Sequence, residues 1–252
     1  MPDLVSLLLA ALAGLVAGAM NALAGGGTFV SMPALVALGL PSTIANATSN
    51  VALQPGAIAS AWAYRRGLGP IGGIGVGALV AITLVGAAIG SLLLVATPVR
   101  TFDIAIPWLL LVAFIVMLAG KRASEALRAR VTIGAPTLVA VQFALGVYGG
   151  YFGGGVGLMM MAIWGLLAGH APHQLAAHRT LLLAVANAVA ALIFVVMAMV
   201  DWRFALPMLV GAILGGHYGA RVGLLLSAGT IRAITLVVTG VTTALFFWRA
   251  YS

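Results

Sequence analysis

Two runs of three adjacent glycines, Gly25-Gly26-Gly27 and Gly153-Gly154-Gly155, each interrupt a stretch that is otherwise almost wholly apolar. The offset that carries Gly25 onto Gly153 also carries Gly18 onto Gly146, so the two runs mark equivalent places in a duplicated chain. Each glycine inside a helix costs about 1 kcal/mol relative to alanine, and three together break a helix. In hydrocarbon a break leaves backbone N–H and C=O groups free, which is tolerated only where protein or a water-filled cavity satisfies them. The first apolar run extends from Leu4 to Leu40. As one helix it would be about 55 Å long, against a hydrocarbon core of about 30 Å. It has to break, tilt or turn back, and the glycines with Pro33 supply the place.

That these runs face lipid follows from what the chain lacks. Only 6% of its 252 residues are charged, whereas 63% are hydrophobic; a water-facing surface needs roughly 25% charged residues. The apolar runs are continuous rather than alternating, which excludes an outer-membrane barrel. The fold class is therefore an all-α integral membrane protein. Cysteine is absent, which removes disulfide and thiolate chemistry. The net charge of +8 comes from basic residues in short loops between apolar runs, so it reads as a topology signal rather than a nucleic-acid surface. Met1-Pro2-Asp3 lacks the positive start of a cleavable signal peptide.

Counting hydrophobic segments gives about eight transmembrane helices in one membrane domain. Repeat 1 covers about 4–119, a cytoplasmic linker about 120–133, and repeat 2 about 134–250. With the amino terminus cytoplasmic, Arg65, Arg66, Lys121, Arg122, Arg128, Arg130, Arg203 and Arg249 fall inside. Arg100 and Arg232 fall outside, and Arg179 and Arg221 fall within helices. This follows the positive-inside rule, puts both termini in the cytoplasm, and makes the four-helix repeats parallel. A complete hairpin at each glycine break would instead invert them.

The carboxylates are Asp3, Asp103, Glu125 and Asp201, all at helix ends or in loops. Carboxylate proton relays and cation sites need one inside the membrane. What the interior offers is donor chemistry. Arg179 is the leading candidate, because an ionisable residue within a membrane segment is functional by default and a guanidinium suits an oxyanion through paired hydrogen bonds. Gly25, Gly26 and Gly27, with Gly153, Gly154 and Gly155, expose N–H groups at half-helix starts, a site type that attracts anions. Asn21, Thr48, Ser49, Asn50, Thr180 and Asn187 are candidates to orient a ligand, or to bond across helices. His178 is a candidate proton carrier; His170, His173 and His178 without an acid or cysteine make no metal site. His217, Tyr218 and Arg221 rank below these.

Asn21-x3-Gly-Gly-Gly, Pro33, Gly39 and Ala45-x2-Thr48-Ser49 resemble the first repeat of the TauE/SafE sulfite-exporter family of membrane permeases. Gly149 to Gly157, Arg179-x7-Asn187 and Gly215-Gly-x2-Gly219-Ala-Arg221 resemble its second. The resemblance covers about Leu4 to Trp248, although relatives carry Lys where Arg179 stands. It implies transport of small sulfur oxyanions or organosulfonates, such as sulfite, across the bacterial inner membrane without fixing substrate or direction; export is the expected direction, and no cofactor is expected. The partners are then a small anionic substrate and the lipid bilayer, with no nucleic acid, while a homo-oligomer stays open. Alternating access is the expected mechanism. A passive anion channel and a non-transporting scaffold subunit are the alternatives, and no nucleophile with a base supports an intramembrane hydrolase. Potential-driven anion export needs no coupling ion, so sodium dependence is not expected.

Overall fold

The computed structural model describes residues 3–128, 134–168, 172–223 and 225–252. Arg130 and His170, named above, lie outside them. Ten α-helices occur among the described residues: α1 (Leu4–Ala24), α2 (Thr28–Ala37), α3 (Ser42–Tyr64), α4 (Val76–Ala96), α5 (Val99–Arg128), α6 (Ala135–Tyr151), α7 (Val156–Ala168), α8 (Pro172–Val196), α9 (Trp202–Gly223) and α10 (Ala228–Tyr251). The all-α membrane fold expected from composition is what forms. Five helices are long and apolar enough to span a bilayer by themselves: α1, α4, α5, α8 and α10.

Local chemistry sets the ends. Asp3 caps α1, accepting the Ser6 N–H at 2.8 Å and the Ser6 hydroxyl, and these bonds hold its carboxyl below the usual carboxylate range. At the other end Gly25 takes φ +79°, a left-handed cap that L side chains disfavour. The chain then turns back into α2, which has only 10 residues. The equivalent break is Phe152–Gly155, followed by the 13-residue α7.

Contacts fix the relative direction within four helix pairs. Asn50 meets Asn187, Gln54 meets the Ala184 carbonyl and Gly69 meets His178, so α3 and α8 are antiparallel. Trp108 meets Tyr251 and Arg232 meets the Met117 carbonyl, so α5 and α10 are antiparallel too. By contrast Gly211, Gly215 and Gly219 of α9 abut Ala11, Leu15 and Ala19 of α1 in matching order, and Gly86 and Gly90 of α4 climb α6 in the same sense. These small residues let parallel helices approach until their backbones touch.

Equivalent helices of the two halves thus point opposite ways. Each half contains five helices, not four uniform spans, because each apolar run reverses at its glycines instead of continuing through them. An odd number of alternating helices inverts the second half. The expectation of parallel repeats is corrected accordingly, and the hairpin arrangement holds. Ten helices alternating in direction keep both termini on one face, where Arg100, Arg203 and Arg249 also lie. Arg65, Arg66, Arg221, Arg232 and the end of α5 sit at the other face. The expected cytoplasmic linker therefore leaves α5 on the face opposite the termini.

Candidate functional site

Two half-helices meet at their amino ends in the middle of the bundle. Phe29, in the first turn of α2, lies against Gly155 at the start of α7: a Cβ placed on Gly155 would come within 2.4 Å of the Phe29 ring. The same ring covers Gly26. Gly155 has φ +71°, so conformation and crowding both require glycine there. Among the described residues no backbone partner engages the N–H groups of Gly26, Gly27, Gly154 or Gly155. The positive ends of two helix dipoles converge on one buried place, and negative charge is stabilised there.

The longer partners, α1 and α6, end with free carbonyls, and these are met by side chains across the bundle. Arg179 of α8 donates to the Ala24 carbonyl at 3.2 Å, and Asn46 of α3 donates to the Tyr151 carbonyl at 3.2 Å. The two bonds are pseudo-symmetric, each running from the third helix of one half to the break of the other. One cap is neutral and the other is cationic. Tyr148 donates to the Gly154 carbonyl at 2.9 Å and Ser91 to that of Gly150 at 3.2 Å. Pro33 has no N–H for the Phe29 carbonyl, and Thr242 of α10 donates there instead, at 3.0 Å. These carbonyls at the breaks are satisfied inside protein, as hydrocarbon demands.

Arg179 keeps a buried Nε without a hydrogen-bond partner. Its aliphatic stem packs on Gly157 in the first turn of α7, and its Nη1 reaches the first break beside Gly25. Around it Asn21, Gly25, Ala57, Ser60, Thr180 and Leu183 enclose a cavity of about 10 Å3, room for one water molecule at most. Leu183 closes the inner side, touching the positions of Gly25 and Gly157. One turn beyond it, Asn187 pairs with Asn50 at 3.4 Å, and both amides approach Gly153. Arg179, Leu183 and Asn187 share one face of α8 at steps of four residues, so charge and amide pair stand about 12 Å apart along the axis. Asn50 Oδ1 and Gln54 Oε1 are also buried without partners.

Half of the sequence candidates gather here: Asn21, Gly25, Arg179 and Thr180 at the cavity, and Asn50, Gly153 and Asn187 at the amide pair. Others are engaged elsewhere. Thr48 accepts the Asp201 N–H at 3.1 Å, and Ser49 is paired with Ser31 at 2.5 Å, fully buried. His178 Nε2 lies 2.6 Å from the Gly69 carbonyl oxygen and pins the segment after α3. Phe29, Asn46, Ser60 and Leu183 were missed. Asn46 precedes Thr48-Ser49-Asn50 by one polar step, a weak signal; Phe29 and Leu183 carry none, being apolar residues in apolar runs.

The family profile described as "Sulfite exporter TauE/SafE" matches residues 10–246. A probable membrane transporter protein of Haemophilus influenzae is 26% identical, covering 92% of this chain and 90% of that protein. The probable membrane transporter protein YfcA of Escherichia coli K12 is 28% identical over 94% of this chain and 88% of its own length. A third relative, the probable membrane transporter protein ORF9 of a Sinorhizobium species, is 28% identical over 95% and 92%. No solved structure matches.

Proposed function

The chain belongs to the sulfite exporter TauE/SafE family and is a membrane transporter rather than an enzyme, and from that premise we propose that it exports a small anion, sulfite or an organosulfonate, across the bacterial inner membrane by alternating access. The observation that carries this reading is the half-buried Arg179, its buried Nε unpartnered, set where the first break meets the amino end of α7. Among the described side chains no carboxylate shares that interior: Asp3 and Asp201 are N-terminal to α1 and α9, and Asp103 is in the first turns of α5. A one-water cavity within two inverted halves supports alternating access, in which the same groups open first to one face and then to the other.

Orientation follows from charge. The face bearing Arg65, Arg66, Arg221, Arg232 and the basic linker is cytoplasmic in this reading, and both termini are periplasmic, the reverse of the arrangement drawn from eight spans. Arg179 is then on the cytoplasmic side of the amide pair, where an outgoing anion meets charge first. The resting potential drives such an anion outward by about 2.3 kcal/mol per charge per 100 mV, with no sodium required. The test is efflux from proteoliposomes loaded with sulfite, thiosulfate, sulfate or a short alkylsulfonate. Saturable flux with counterflow, independent of sodium, is expected. Absence of flux for every anion overturns the reading, and non-saturating conductance without counterflow identifies a channel instead.

A further inference from the structure

A larger cavity, about 250 Å3, lies away from the bundle centre between the start of α5 and the end of α10. Arg100, Asp103, Ile104, Phe246, Arg249 and Ala250 line it. Phe246 is buried, while Arg100 and Arg249 are exposed on the face that carries the termini. Arg100 is the second residue of α5, where the helix dipole disfavours a cation. Arg249 adds a second positive charge to the same recess. Asp103 shares the recess, yet the salt bridge found among the described residues is Asp201–Arg203, so Asp103 is joined to neither arginine. Two exposed guanidinium groups line one recess at a helix start, where backbone N–H groups also favour an anion.

The surroundings indicate what kind of anion. Trp108 Nε1 donates to the Tyr251 hydroxyl at 2.8 Å, and Phe247 packs edge-on against Trp108 with ring centroids 5.2 Å apart. Trp108, Trp248 and Tyr251 are exposed on the same helix pair, as amphipathic aromatics are at headgroup depth. We propose that this recess holds the headgroup of phosphatidylethanolamine. Arg100 and Arg249 bond the phosphate oxygens, for which guanidinium geometry is suited, and Asp103 accepts from the ammonium group. A free oxyanion would meet the Asp103 carboxylate as a repulsive neighbour, whereas a zwitterion carries a cation for it.

The experiment is thermal unfolding of the delipidated full-length protein with added phosphatidylethanolamine, phosphatidylcholine or inorganic phosphate, combined with native mass spectrometry of retained lipid. Phosphatidylethanolamine is expected to raise Tm, phosphatidylcholine (which has no ammonium proton to donate) to raise it less, and phosphate not at all. R100Q/R249Q should lower retained phosphatidylethanolamine at least about tenfold, and D103N should erase the preference over phosphatidylcholine. Equal effects of the two lipids overturn the proposal, as does an unchanged response in R100Q/R249Q. An equal shift from phosphate alone identifies a free-oxyanion site and also overturns it. Arg100 and Arg249 are exposed and Asp103 half-buried, so the variants should fold, and the wild-type lipid comparison stands without them.

Discussion

Arg179 Nη1 lies 3.2 Å from the carbonyl oxygen of Ala24, the last residue of α1. The bond gives the guanidinium a structural duty that consumes one of its five N–H groups and leaves the buried Nε uncommitted. Arg179→Ala should therefore abolish anion-dependent thermal stabilisation and lower flux by roughly 10- to 100-fold, while Arg179→Lys keeps part of both. Asn46→Ala removes the equivalent neutral cap on Tyr151. It should lower stability by about 1–3 kcal/mol yet leave the anion-induced shift intact. Equal anion responses in the two alanine variants would show that charge has no part in binding.

Gly155 has no room to change. Gly155→Ala meets the Phe29 ring at 2.4 Å and a φ of +71°, so cellular yield and Tm should fall sharply. Phe29→Leu in the same chain should restore part of the loss by relieving the contact, leaving about 1 kcal/mol of backbone strain. Gly39→Ala, with φ +93° and open space around it, is the control in which strain acts alone.

Leu183 separates the Arg179 cavity from the Asn50–Asn187 pair. Leu183→Ala should join the two and produce uncoupled anion leak across vesicles, measurable as flux that loses counterflow. Leu183→Trp should block flux while the fold survives in detergent.

The natural chain has no cysteine, so single introduced cysteines report topology without background. Ser252→Cys should react in intact cells with a membrane-impermeant thiol reagent, and Arg66→Cys only after permeabilisation. The opposite labelling pattern would return both termini to the cytoplasm.

Arg203 holds Asp201 at the start of α9 through bonds of 3.0 and 2.8 Å, and keeps its carboxyl below the usual range. A depressed folded pKa contributes stability that is present above the unfolded value of about 3.9 and is lost as pH falls through the folded one. Tm measured from pH 5 down to pH 2 should fall more steeply for wild type than for Asp201→Asn.

The membrane class, the two breaks and Arg179 were legible because each rests on local composition: missing charge, adjacent glycines, a cation in an apolar run. The path of the chain through the breaks was not. Hydropathy registers how much apolar sequence lies between Leu4 and Leu40 but not whether it reverses, and a 10-residue α2 hides inside the run. One hidden reversal per half moved the linker to the other face and turned parallel repeats into inverted ones. Thr48 and Ser49 shared the polar signature of Asn50, yet helix rotation sends them to Asp201 and Ser31.

A fully equivalent inverted pair would look alike from either side of the bilayer, and its two access states would have equal energy. Asn46 opposite Arg179 removes that equivalence. Under the proposed alternating access, Arg179 sets a cation on one side of the pair only, so a membrane field would act on any step that moves it, while pairing with a monovalent anion would cancel the charge. In that proposed cycle voltage would bear on the return of the unloaded protein and spare the loaded one, and one unlike pair would make the two access states of a duplicated scaffold unequal.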